Sequence, residues 1–84
     1  MRDRWIITFE SVHKVIKAEK ILKASNLSVN VTPVPRNISS DCGIALEVPE
    51  MGREKVKKIL KTSKILPEGY YHIDNKGVAN EIFN

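Results

Sequence analysis

Only one cysteine occurs among the 84 residues, and that scarcity removes two function classes. A lone thiol cannot build a disulfide framework, nor can it supply an all-cysteine metal site within one chain. Long apolar runs are missing too, since no stretch approaches the ~18 residues that a membrane span requires. The opening Met1-Arg2-Asp3-Arg4 leads straight into Trp5-Ile6-Ile7-Thr8-Phe9. That is too short for a signal peptide and lacks a small-residue cleavage site, so a cytoplasmic protein is expected. The sequence holds no CxxC or HxxxH spacing, phosphate-binding loop, acid/base dyad or cofactor motif. The expectation is therefore no metal, no cofactor and no free-standing enzyme.

What is present is ordinary globular material, 42% apolar and 29% charged, with a net charge of +4. That length fits one small domain. The mild basic excess favours acidic partners and says little about fold.

Arg4–Glu10 reads as a strand, aromatic and β-branched, and its near-continuous apolar character suggests a central one. Ser11 is a good N-cap for a helix running to Ser25-Asn26, where Asn26 can take the left-handed capping role. Val12, Val15, Ile16, Ala18 and Leu22 form its apolar face. Leu27–Thr32 alternates as a second strand, and Ile44–Val48 is a third, ended by Pro49. A second helix over 53–63 carries Val56, Ile59 and Leu60 as its stripe and lysines toward water. Tyr70–Ile73 is a fourth strand. Residues 74–84 begin with turn residues and are expected to dock as a short helix or stay loose. This gives a domain over 1–73 and a tail over 74–84.

The order β-α-β-β-α-β predicts an α+β, ferredoxin-like sandwich: one four-stranded antiparallel sheet with both helices on one face. The segment between strands two and three, Pro33-Val34-Pro35-Arg36-Asn37-Ile38-Ser39-Ser40-Asp41-Cys42-Gly43, holds the cysteine. Its prolines stiffen the entry, and Ser39-Ser40-Asp41 reads as a turn. Gly43 allows φ > 0 or the close approach of another molecule. A thiol between Asp and Gly at a loop tip is an unusual place for a packing cysteine. The topology puts this loop at the same sheet end as Ser11, His13 and the N–H groups of the first helical turn, which favour a thiolate. His13 could shuttle a proton to the thiol, or only decorate the first turn. Arg36 could hold an anionic substrate in its fork, and Ser39 and Ser40 could cradle one, or these residues only build the loop.

The sequence resembles the selenium/sulfur carrier protein-like family of small bacterial domains. The resemblance rests on Ser11-Val12-His13 after the opening strand and Ala18-Glu19-Lys20-Ile21-Leu22 on the first helix. Its most specific part is Pro33-Val34-Pro35-Arg36 followed by Ile38-Ser39-Ser40-Asp41-Cys42-Gly43-Ile44-Ala45-Leu46. It covers residues 4–71. The resemblance implies a cytoplasmic carrier whose loop cysteine, Cys42, holds a persulfide or selenosulfide, with Ser39, Ser40 and Gly43 around it. It also implies a cysteine desulfurase or a selenium-metabolism protein as partner.

Two other classes compete. A non-covalent module binding a small ligand, with sheets paired edge to edge in a homodimer and a structural Cys42, is compatible with the same fold. Nucleic-acid binding would use Lys55, Lys57, Lys58, Lys61 and Lys64. Base stacking on such a sheet needs aromatics on both central strands, and Ile44–Val48 has none, so this class is not expected.

Overall fold

The computed structural model describes residues 3–38 and 43–82. The elements are β1 (Arg4–Thr8), α1 (Val12–Ala24), β2 (Asn30–Pro33), β3 (Ile44–Val48), a 3₁₀ turn (Glu50–Gly52), α2 (Arg53–Thr62), β4 (Gly69–Ile73) and β5 (Ala79–Ile82). The architecture is α+β, with two helices and one antiparallel sheet in the order β2-β3-β1-β4-β5.

Among the described residues five strands are present rather than the expected four. The segment expected as a short helix or a loose tail pairs with β4 from Tyr70↔Ile82 to Ile73↔Ala79. A tight turn makes this possible: the Asp74 carboxylate accepts from the Lys76 and Val78 N–H groups, both at 2.9 Å. Gly77 completes the reversal at φ +86°, where a β-carbon would be strained.

β1 is central, flanked by β3 and β4. Side chains alternate across a strand, so its apolar run must be buried on two sides. Ile7 joins the larger core with Phe9, Val15, Ala18, Leu22, Leu46, Val56 and Leu60, which places both helices on that face. Ile6 points the other way and packs with Ile38, Ala45 and Ile73.

Ser11 caps α1, its hydroxyl accepting from the Lys14 N–H at 3.3 Å. Asn26 takes φ +65°, with its N–H on the Lys23 carbonyl and the Leu27 N–H on the Leu22 carbonyl. That pair of bonds is a Schellman ending. It also explains why β2 starts at Asn30 and not at Leu27: Leu27 is spent on the cap, and the Val29 N–H turns back onto the Leu27 carbonyl. The apolar face of α1 is narrower than expected. Val15, Ala18 and Leu22 are buried, but Val12 and Ile16 remain 43% and 42% exposed.

α2 ends the same way, with Lys64 at φ +59°, the Lys64 N–H on the Lys61 carbonyl and the Ile65 N–H on the Leu60 carbonyl. A lysine tolerates this conformation poorly, at a cost of about 1–2 kcal/mol. Lys64→Gly should therefore stabilise the fold by about 0.5–1 kcal/mol, after the larger entropy loss of glycine. Thermal denaturation should show a rise of about 4 °C, whereas Lys64→Ala, which keeps the β-carbon, should show none.

Trp5 sits between two groups. The His72 ring stacks on it with centroids 4.1 Å apart and planes 17° from parallel. The Arg53 guanidinium carbon lies 3.7 Å from the Trp5 ring centroid. Two groups that close to one centroid cannot share a face, so the indole is sandwiched.

Candidate functional site

The loop after β2 is framed by its ends. At its base the Val34 N–H donates to the Gly43 carbonyl at 3.1 Å, extending the β2–β3 pairing one step beyond Pro33↔Ile44. The Ile38 N–H then closes a turn onto the Pro35 carbonyl at 3.0 Å. Ile38 is only 5% exposed and, with Val34 beside it, covers Ile6, Ala45 and Ile73 on the face without helices. The Asn37 amide donates to the Gly77 carbonyl at 2.8 Å.

Sheet register converts these contacts into a path. Thr8 pairs with Ala45 and with Gly69 at one end of the sheet, and Arg4 pairs with Ile73 at the other. Pro33 and Gly43 lie at the Thr8 end, whereas Gly77 follows β4 at the Arg4 end. The segment 34–38 therefore crosses the helix-free face from one end to the other. Ser39, Ser40 and Cys42, three of the expected site residues, lie outside the described residues.

The other expected residues are placed as follows. Gly43 is exposed at φ +76°, and a β-carbon there would meet no atom within 4 Å. Its glycine character thus answers to backbone conformation and not to crowding. His13 is exposed in the first turn of α1, at the same end of the sheet as Gly43. It belongs to the helical layer, however, while Val34 and Ile38 pack on the opposite face. Arg36 is exposed and pairs with no carboxylate among the described residues. The structure brings Gly43 and the start of α1 to one end, but it does not bring Arg36 and His13 onto one face. Among the described residues no group of three or more His, Cys, Asp or Glu could hold a metal ion. No helix among them is long and apolar enough to cross a membrane.

Sequence reasoning missed Ile38 and Asn37 as the groups that dock the loop. The available signal was Ile38 itself, the lone aliphatic side chain between Arg36 and Cys42.

A family model described as "putative Se/S carrier protein-like" matches residues 4–72. The chain belongs to this family. No curated protein and no solved structure matches it. The family match runs from the first residue of β1 nearly to the end of β4 and includes the whole loop between Pro33 and Gly43. The turn that supplies the Gly77 carbonyl, and β5 after it, lie beyond the matched residues. One of the two anchors of the loop, Ile38 on the sheet, is thus internal to the family segment. The other, Asn37 on Gly77, reaches outside it.

Proposed function

We propose that this protein is a sulfur or selenium carrier that holds a persulfide or selenosulfide on Cys42. The observation that carries the reading is the family match, which spans the loop and its single cysteine. The framing of the loop adds support, because a carrier thiol must be delivered repeatedly to other proteins from a fixed base. Closure at Val34–Gly43 and burial of Ile38 supply that base. The strand order β2-β3-β1-β4, with both helices on one face, supports reading the scaffold as a ferredoxin-like sandwich with one added strand.

The chemistry is an exchange. The Cys42 thiolate attacks the outer sulfur of a donor persulfide; one S–S bond forms as the donor's S–S bond breaks, and the donor leaves as a thiolate. No electrons enter or leave overall. Release to an acceptor thiolate is the same step in reverse order. The protein acts as a carrier and not as a free-standing enzyme. Its loading partner is a cysteine desulfurase or a protein of selenium metabolism, and a reducing cytoplasm suits its single thiol.

Intact-mass spectrometry tests this. After incubation with a cysteine desulfurase and cysteine, a gain of about 32 Da is expected, and with selenocysteine about 79 Da, reversed by reductant. Cys42→Ala should gain neither. No adduct on the unsubstituted protein, together with slow alkylation of Cys42 at neutral pH, would make the cysteine structural.

A further inference from the structure

Charge in this chain is segregated by layer. α1 and α2 together hold nine lysines and arginines against two glutamates, a net of +7 in a chain whose total is +4. Ion pairing thins that excess unevenly. Toward the two ends of α1, Lys14 pairs with Glu10 and Lys23 with Glu19. Lys17 and Lys20 between them, and Lys55 and Lys58 on α2, are exposed and pair with no carboxylate among the described residues. Glu54 lies one turn before Lys58 yet makes no ion pair with it.

The topology brings these four lysines together. α1 leaves the sheet at its Thr8 end, whereas α2 follows β3, which ends at Val48 opposite Trp5, so the two helices run antiparallel. One contact sets their relative height: the Lys55 ammonium donates to the carbonyl of Ser25, the C-cap of α1, at 3.5 Å. Counting up α2 and back along α1 from that contact, Lys58, Lys20 and Lys17 follow at about 4.5, 7.5 and 12 Å. Lys17 and Lys20 share the outer side of α1, as Lys55 and Lys58 share that of α2, because residues three apart are surface neighbours. Ile21 and Ile59, each one turn from a partner in the Lys55–Ser25 contact, fall on the same seam and are only partly buried.

No arginine, tyrosine, tryptophan or phenylalanine occupies an exposed position of either helix, and Arg53 is stacked on Trp5. Guanidinium forks and stacking rings are the usual means of holding a nucleic acid. Lysine charges beside an apolar seam suit carboxylates instead. A seam between two helices accepts a third at about 8–10 Å, and carboxylates at i and i+3 on that helix repeat the ~4.5 Å rise of each lysine pair. We propose that the outer face of the helical layer docks an acidic α-helix of a partner protein, laid along the seam of α1 and α2 with its carboxylates on Lys17, Lys20, Lys55 and Lys58. This surface is independent of the Cys42 chemistry.

The test is an amide-shift titration of the folded full chain. The probe is a blocked alanine-rich helical peptide with glutamates at i, i+3 and i+7 and leucine at i+4; the same peptide with lysine for glutamate is the control. The acidic peptide should bind saturably, with the largest shifts at residues 17–25 and 55–62, and the basic peptide should not bind. Lys17→Gln with Lys58→Gln should weaken binding about tenfold, and either alone about threefold. Glutamine keeps helix propensity close to that of lysine, so these variants should retain the parent circular dichroism. Lys64→Gln with Lys76→Gln removes as much charge from exposed positions outside both helices and should change affinity less than twofold. Equal weakening by the two pairs, shifts scattered over the whole surface, or no saturable binding would overturn the proposal. Oligothymidylate that binds the same residues more tightly than the acidic peptide would overturn it in favour of a nucleic-acid surface.

Discussion

Ile38→Ala is expected to lower stability by about 2 kcal/mol and to loosen the cysteine loop. Ile38 is 5% exposed and sits on Ile6, Ala45 and Ile73. Truncating a buried isoleucine to alanine costs about 2–5 kcal/mol. The lower end applies because a loop can settle into the space more readily than a strand can. In a domain of this size that is a fall of about 8–15 °C in Tm. Loosening has a separate signature in hydrogen exchange. The Val34 amide, which closes the loop on Gly43, and the Ile38 amide, which closes the turn on Pro35, should exchange faster than global destabilisation explains. Amides in β1 should slow or quicken only with global stability. If Tm and the Val34 amide both stay at parent values, Ile38 does not hold the loop.

Phe9→Ala should have the largest effect of any single truncation. Phe9 follows the last residue of β1, is fully buried, and belongs to the main core together with residues of both helices. Removing a buried phenylalanine costs about 3–5 kcal/mol. A domain of this length has a total stability of roughly 4–13 kcal/mol at 0.05–0.15 per residue. Much of the fold's margin is therefore lost, and urea denaturation should show a strongly lowered midpoint with little change in slope. Phe9→Leu, which keeps most of the volume, should cost less than about 1.5 kcal/mol. A small effect from Phe9→Ala would mean that the helices are held mainly by other contacts.

Where a residue's chemistry determined its backbone, the sequence was readable. Ser11 caps α1, Asn26 takes the left-handed position, Gly43 has positive φ, and β1 is central. Each follows from a local rule. The rest depended on tertiary context. Val12 and Ile16 fit the periodicity of the α1 face, yet they stay partly exposed while Val15, Ala18 and Leu22 are buried. Ala79-Asn80-Glu81-Ile82 has no alternation strong enough to announce a strand and pairs because the Asp74–Gly77 turn presents it to β4. Lys64 at positive φ is chosen against residue preference by the chain's need to turn after α2. For the candidate site, a local rule gives the positive φ of Gly43, and the turn expected at Ser39-Ser40-Asp41 lies outside the described residues. The docking of Ile38 and Asn37 needed the finished sheet. The role proposed for Cys42 draws on the family match, because spacing alone could not distinguish a carrier thiol from a structural one.

The position of β1 has a consequence for biosynthesis. Its partners are distant along the chain: Trp5 lies opposite Val48 on one side and His72 on the other. A nascent chain that has emerged only as far as α2 therefore carries a strand with one edge unsatisfied. Neither β4 nor β5 can pair before residues 69–82 have left the ribosome. Such non-local pairing makes completion of the sheet wait for those residues, rather than proceed as a stepwise assembly along the chain.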